Sequence, residues 1–354
     1  MRLLLFNLAT DVDDPILGFT TGWIRALAQQ VESIHVITMR AGRVEVPDNV
    51  RVYSVGKERG YSEPRRVMEL YRTLFRVLGS NSIDVCLSHM IPIFTVLTAP
   101  VLKAKGIPIV TWHAHRQVTM ILKLAHRFSD RMISINDSSY PYAHDKLTSL
   151  GHGIDTGLFS PNGIRPDHPP LLLSVGRLSP IKDLLTLIEA LNLVRQHNHK
   201  VRCALIGNSL ERDHEYGQLL HQKVRDLRLQ DAVQFVGGIP NGQVVNWYRR
   251  CFAHVNLCPT GALDKAVLEA MACGKPSLVA NEGFGETLGQ WKTALLFRQG
   301  DPGDLAQKIE SLLPLTETQQ QTMAMDLRQR VAERHSLDRL TESLMQVFRT
   351  VQRN

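Results

Sequence analysis

Residues 260–276 read T-G-A-L-D-K-A-V-L-E-A-M-A-C-G-K-P. The stretch predicts a loop, a short helix and a stop. Asp264 stands where a side-chain carboxylate accepts an orphan amide at a helix N-terminus. Residues 265–273 lack Gly and Pro and are rich in helix formers. Gly274 suits a left-handed C-terminal cap, and Pro276 forbids continuation. One acid, Glu269, lies inside the helix among Ala266, Val267, Leu268, Ala270, Met271 and Ala272. A carboxylate in such company is costly to bury alone, so it either points to solvent or meets a specific group. The small turn ahead of the helix also offers backbone amides to an anion such as phosphate.

Outward from this stretch, apolar runs at residues 253–257 and 277–280 flank it as strands. Residues 171–175, 203–206 and 230–238 read as further strands. A helix over 184–195 shows Leu184, Leu187, Ile188, Leu191 and Val194 at helical spacing. The first half repeats the alternation, with strands at 3–8, 34–38, 83–87, 107–111 and 130–135 and helices at 23–30 and 64–78. Strand, helix, strand implies parallel sheets with crossover helices. The Pro-, Gly- and Asn-rich residues 161–170 mark a break. The expectation is α/β with two Rossmann-like domains, 1–150 and 151–336. Helices at 302–313 and 320–334 follow, then a last amphipathic helix within 337–354. Ligands of open parallel sheets sit beyond the carboxyl ends of the strands. His89, His113 and His115 stand there and are site candidates as well as structural histidines. Gly18, after the first strand, permits close backbone approach of a substrate.

The chain has 354 residues and a formal net charge of +7. The first 150 residues hold 18 basic and 13 acidic side chains, the remainder 23 and 21. The first domain is therefore the one to approach an anionic partner. No basic block with interleaved aromatics is present, which argues against nucleic acid. The helix at 64–78 sets Val67, Leu70, Tyr71, Leu74 and Leu78 against Arg65, Arg72 and Arg76. Its basic stripe is a solvated face or, if exposed apolar residues lie beside it, a face for an anionic membrane. No apolar run spans a bilayer. The start M-R-L-L-L-F-N-L-A is soon followed by Asp11, Asp13 and Asp14 and reads as a strand, not a signal peptide. A cytoplasmic protein, with peripheral membrane contact if that stripe docks, is expected. The five cysteines fit no zinc spacing and read as reduced thiols. Asp11-Val12-Asp13 reads as a turn rather than a metal site.

L-E-A-M-A-C-G-K-P resembles the donor-site helix of the retaining GT-B glycosyltransferases of family four. The resemblance implies two Rossmann-like domains facing a central cleft, the first for the acceptor and the second for a nucleotide sugar, with the terminal helix returning to the first. It implies that Glu269 binds the donor ribose. G-R-L-S-P-I-K, residues 176–182, resembles the family's G-R-L-x-x-x-K, whose cations contact the donor pyrophosphate; these are Arg177 and Lys182. Two fixed cations stabilise a departing diphosphate more than its ground state. P-I-V-T-W-H resembles the strand end whose histidine contacts the sugar, which points to His113, or to His115 one register away. Gly151-His152-Gly153-Ile154-Asp155 with Phe159 and Pro161 resembles the family's opening of the second domain. Gly207 matches its L-x-G turn, and residues 230–238 resemble its V-x-F-x-G, with Ile239 and Pro240 beside the base.

By resemblance the reaction moves a sugar from a nucleotide-sugar donor to a glycan, lipid-linked or small-molecule acceptor, with retention and with no metal or other cofactor. His113, Arg177 and Lys182 are the catalytic set. Two departures bear on this. The residue after Lys182 is Asp183 where the family has Gly, and the first of two family glutamates, eight before Glu269, is Gly261. The amides of Gly261, Ala262 and Leu263 are left to receive sugar hydroxyls or phosphate, and Asp264 stands nearby. Loss of that glutamate keeps open a non-catalytic nucleotide-sugar-binding protein. A nicotinamide oxidoreductase lacks the G-x-G-x-x-G it would need after the first strand or the strand at 171.

Overall fold

Each apolar run read as a strand lies in one of two all-parallel sheets in the computed structural model, which describes residues 1–14, 16–115, 117–261 and 263–353. The chain divides into two units, one of Met1–Gly153 with Leu337–Asn354, the other Ile154–Ser336.

The first unit runs β1 (Arg2–Asn7), α1 (Phe19–Ala28), β2 (Ser33–Thr38), β3 (Val50–Ser54), α2 (Glu63–Ser80), β4 (Val85–His89), α3 (Pro92–Ala104), β5 (Ile109–Trp112), α4 (Met120–Phe128), β6 (Arg131–Ser134) and β7 (Leu147–Ser149). Its sheet order is β3-β2-β1-β4-β5-β6-β7. The two-residue period of β1 sorts its side chains between two cores. Leu3 and Leu5 join Trp23, Ile24 and Leu27 of α1, while Leu4 and Phe6 join Leu70, Leu74 and Val77 of α2 and Leu102 of α3. The last helix, α13 (Leu337–Arg353 in chain order), lays Leu340, Leu344 and Phe348 into the first of these cores.

The second unit runs β8 (Leu171–Val175), α5 (Leu184–Gln196), β9 (Arg202–Ile206), α6 (His214–Asp226), β10 (Val233–Gly237), α7 (Asn241–Arg250), β11 (Ala253–Asn256), α8 (Lys265–Ala272) and β12 (Ser277–Val279). Short helices α9 (Gly285–Leu288) and α10 (Lys292–Leu295) lead to α11 (Pro302–Leu312) and α12 (Glu317–His335). The sheet order is β10-β9-β8-β11-β12. The chain winds outward from β8 through β9 to β10, then returns to β11 on the other side of β8. The switch point between β8 and β11 is where such a sheet opens a crevice for a ligand.

Several boundaries differ from the sequence reading. The helix expected over 23–30 begins at Phe19, because Asp14 accepts the amides of Ile16 and Leu17 at 2.8 and 2.7 Å and sets the turn ahead of it. The helix expected from 320 begins at Glu317 behind a Thr316–Gln319 capping box. Val67, assigned to the apolar side of its helix, is exposed.

Candidate functional site

Gly176 and Arg177 leave β8, Gly207 and Asn208 leave β9, and Asn256 ends β11; α8 begins nine residues beyond it at Lys265. The β8 and β9 ends touch through backbone alone. Gly207 has φ 141°, and a Cβ on it would lie 1.9 Å from the Gly176 carbonyl oxygen. Beyond them Pro180–Lys182 forms one 3-10 turn. It ends at Asp183, whose φ of 44° is the left-handed conformation a glycine adopts without cost, which accounts for the family's preference there. Asp183 repays part of that cost by accepting the Thr186 hydroxyl at 2.9 Å.

Lys182 is folded back along the Gly176 backbone, where a Cβ would lie 3.0 Å from its Cε. Its ammonium pairs with the Asp264 carboxylate. Burial opposes the lysine's charge, but Asp264 and the neighbouring Cys258 outweigh it and hold its pKa above the usual value. Burial likewise works against the Asp264 carboxylate, and Lys182 and Asn256 more than reverse it, holding the acid well below the usual range. Asp264 is the cap the sequence predicts: its Oδ1 accepts the Ala266 amide at 3.2 Å. Asn256 Nδ2 donates to its Oδ2 at 3.0 Å. Arg177 is exposed, and among the described residues no carboxylate pairs with it.

Glu269 is buried on α8, and specific groups do meet it. Tyr248 Oη donates to Oε2 at 3.1 Å and Asn241 Nδ2 to Oε1 at 3.3 Å. Both donors belong to α7, and sequence reasoning missed them; the one signal was that the loop at Ile239 and Pro240 leads directly into that helix. Burial still lifts the Glu269 pKa above the ordinary carboxylate value. Burial also pulls Lys265, one turn before it, down to about 8.

Of the other site candidates, Gly261 donates its amide to Asn281 Oδ1 at 3.4 Å, and Leu263 turns its side chain inward. Ala262 lies outside the described residues. Gly18 and His113 belong to the first unit. Gly18 caps α1 and donates to the Asp14 carbonyl at 3.0 Å, and a Cβ there would stand 2.6 Å from that oxygen. His113 follows β5 and is buried, with neither ring nitrogen in a well-aligned hydrogen bond. Burial, then His115, pulls its pKa down to about 4, partly offset by the His115 backbone, so the ring is neutral at pH 7. His89 packs its ring against Trp23 at 4.9 Å, while His115 is exposed. Asp11 and Asp13 are spent on Arg43: its backbone amide donates to Asp11, and its guanidinium to Asp13.

The first unit also exposes apolar side chains beside cations. Met68 and Phe75 of α2 flank Arg72, and Met120, Ile121 and Leu124 of α4 flank Lys123. Among the described residues no helix is long and apolar enough to cross a membrane.

These two parallel sheets give the chain the GT-B fold. HepE of Anabaena in complex with UDP superposes with a TM-score of 0.76 at 18% identity, over 99% of this chain and 100% of that one. Sucrose-phosphate synthase from Thermosynechococcus elongatus superposes with a TM-score of 0.78 at 17% identity, over 99% of each chain. Within that fold, residues 159–326, all in the second unit, match the family described as Glycosyl transferases group 1. The chain is 26% identical over 206 residues to D-inositol 3-phosphate glycosyltransferase 2 of Catenulispora acidiphila, 52% of this chain and 48% of that protein. It spans about half the length of the curated relatives it matches.

Proposed function

We propose that the protein is a retaining glycosyltransferase of family four that takes a sugar from a nucleotide-sugar donor held by the second unit. The observation that supports this reading is the β8/β11 switch point, with Arg177 and Lys182 on the turn after β8 and Glu269 on the helix after β11. Arg177 and Lys182 meet the diphosphate as its charge grows on departure. Glu269, held by Tyr248 and Asn241, accepts the ribose hydroxyls. His113, neutral and with unsatisfied ring nitrogens, serves the transferred sugar. Two cations at the leaving group do the work a metal would do, so the transfer is proposed to survive a chelator.

The acceptor is a glycan, a lipid-linked sugar or a small polyol. The relatives named for D-inositol 3-phosphate make a phosphorylated polyol the first to try. The exposed apolar and cationic side chains of α2 and α4 favour work in the cytoplasm at an anionic membrane face.

The test is nucleoside diphosphate release from UDP-, GDP- and ADP-sugars, with chelator present, with and without a phosphorylated polyol or a membrane lipid extract. Release from one donor that rises with one acceptor source is expected. Tight binding of one nucleotide with no donor consumed would instead establish a binding protein. Sedimentation with anionic but not neutral liposomes, lost on replacing Met68 and Phe75 by Ser, tests the membrane face.

A further inference from the structure

Asp264 does more than cap a helix. Its carboxylate gathers donors from separate elements: the Ala266 amide at 3.2 Å, Asn256 Nδ2 at 3.0 Å, Cys258 Sγ at 3.5 Å and the Lys182 ammonium. It therefore occupies two features that would attract a phosphate, the Ala266 amide in the first turn of α8 and the lysine of the 3-10 turn. The Lys182 and Asp264 side chains are 18% and 20% exposed, so solvent screens the pair poorly. Arg177 is the cation of this crevice not paired with a carboxylate among the described residues.

We propose that Asp264 sets the phosphate affinity of the site at the β8/β11 switch point, its carboxylate competing with a donor diphosphate for Lys182 and for the Ala266 amide of α8. The inference rests on the donor-site reading above. A nucleotide then binds by drawing Lys182 from Asp264, and the pair re-forms as the diphosphate leaves. The Lys182 stem lies along the Gly176 backbone, where the glycine sets no side chain in its way. Asp264 is a positioning residue in this account, acting on the donor through Lys182.

The experiment is calorimetric titration of UDP, GDP and ADP, and of the matching nucleosides, into wild type, Asp264→Asn, Asp264→Ser and Asp264→Asn/Lys182→Ala. Asn and Ser both cap helices well, so α8 keeps its start. Removing a like charge at contact distance from the phosphates is expected to tighten diphosphate binding at least ~10-fold in both single variants. Nucleoside affinity stays unchanged, and the gain shrinks once Lys182 is absent. If folded Asp264 variants bind the diphosphate no tighter than wild type, or gain equally for the nucleoside, the competition is refuted while the donor-site reading stands. If no protein in the set binds any of the three diphosphates, the donor-site reading falls and the inference with it.

Discussion

Replacing Tyr248 by Phe removes one oxygen and tests how the buried acid of α8 is held. Tyr248 is fully buried, and its hydroxyl donates to Glu269 Oε2 at 3.1 Å. Its own pKa is pushed well above the usual value, by burial first and then by Glu269, so it remains a donor at any working pH. The change leaves the Asn241 hydrogen bond, at 3.3 Å, on a carboxylate that is 5% exposed. A hydrogen bond to a charged group is worth about 1.5–3 kcal/mol, so a loss of about 2 kcal/mol is expected. In a unit of this size that lowers Tm by roughly 4–8 °C. The pH dependence sharpens the test. Glu269 has a raised pKa in the fold, so the folded protein prefers it protonated. That preference favours folding fully below the unfolded pKa of about 4.3 and is lost as pH rises through the folded value. Without the Tyr248 hydroxyl the folded pKa rises further, and the deficit of the variant grows with pH. Calorimetric melts at pH 5 and pH 8 should show the larger deficit at pH 8. A deficit under about 0.5 kcal/mol, the range of an ordinary surface substitution, or one equal at both pH values, would refute the argument that this hydroxyl supports an ionised Glu269.

Gly207→Ala forces a Cβ to 1.9 Å from a backbone oxygen at φ 141°, and should cost about 3–5 kcal/mol from overpacking and backbone strain together; urea denaturation reads it, and a loss below 1 kcal/mol would mean the β8 and β9 ends separate easily. His113, with its pKa near 4, should give no inflection in the kcat profile between pH 6 and 8. His113→Ala should lower turnover while sparing nucleoside diphosphate affinity; equal loss of both would place the histidine in the fold rather than the reaction.

The fold was legible because parallel strands buried on both faces write themselves as short apolar runs, as residues 3–8 and 171–175 do. β3 was not read, since V-R-V-Y-S is half-buried at a sheet edge, and β7 has only three residues. Of the site, Asp264 as a cap and Gly274 at φ 73° follow from local chemistry alone. Long-range partners do not. Lys182 and Asp264 are 82 residues apart, and Tyr248 lies 21 from Glu269 on another helix. No spacing rule connects such positions; the strand order that brings β8 beside β11 does.

The same strand order bears on sugar choice. By resemblance position 261 faces the donor sugar, where relatives carry a glutamate. Gly261 brings no side chain, and its amide already serves Asn281. Asp264, three residues on, is turned to Lys182 and to the start of α8. A site rejects an epimer strongly when its own buried polar group is left unpaired by the wrong sugar, and here position 261 supplies no such group. Two donors sharing a base and differing in one sugar hydroxyl are therefore expected to be turned over with kcat/KM values within roughly tenfold of each other, as for discrimination by shape alone. Restoring the acid as Gly261→Glu should widen the ratio. A wild-type ratio above about a thousandfold would show that another side chain reads the hydroxyl and that position 261 has been given the wrong partner.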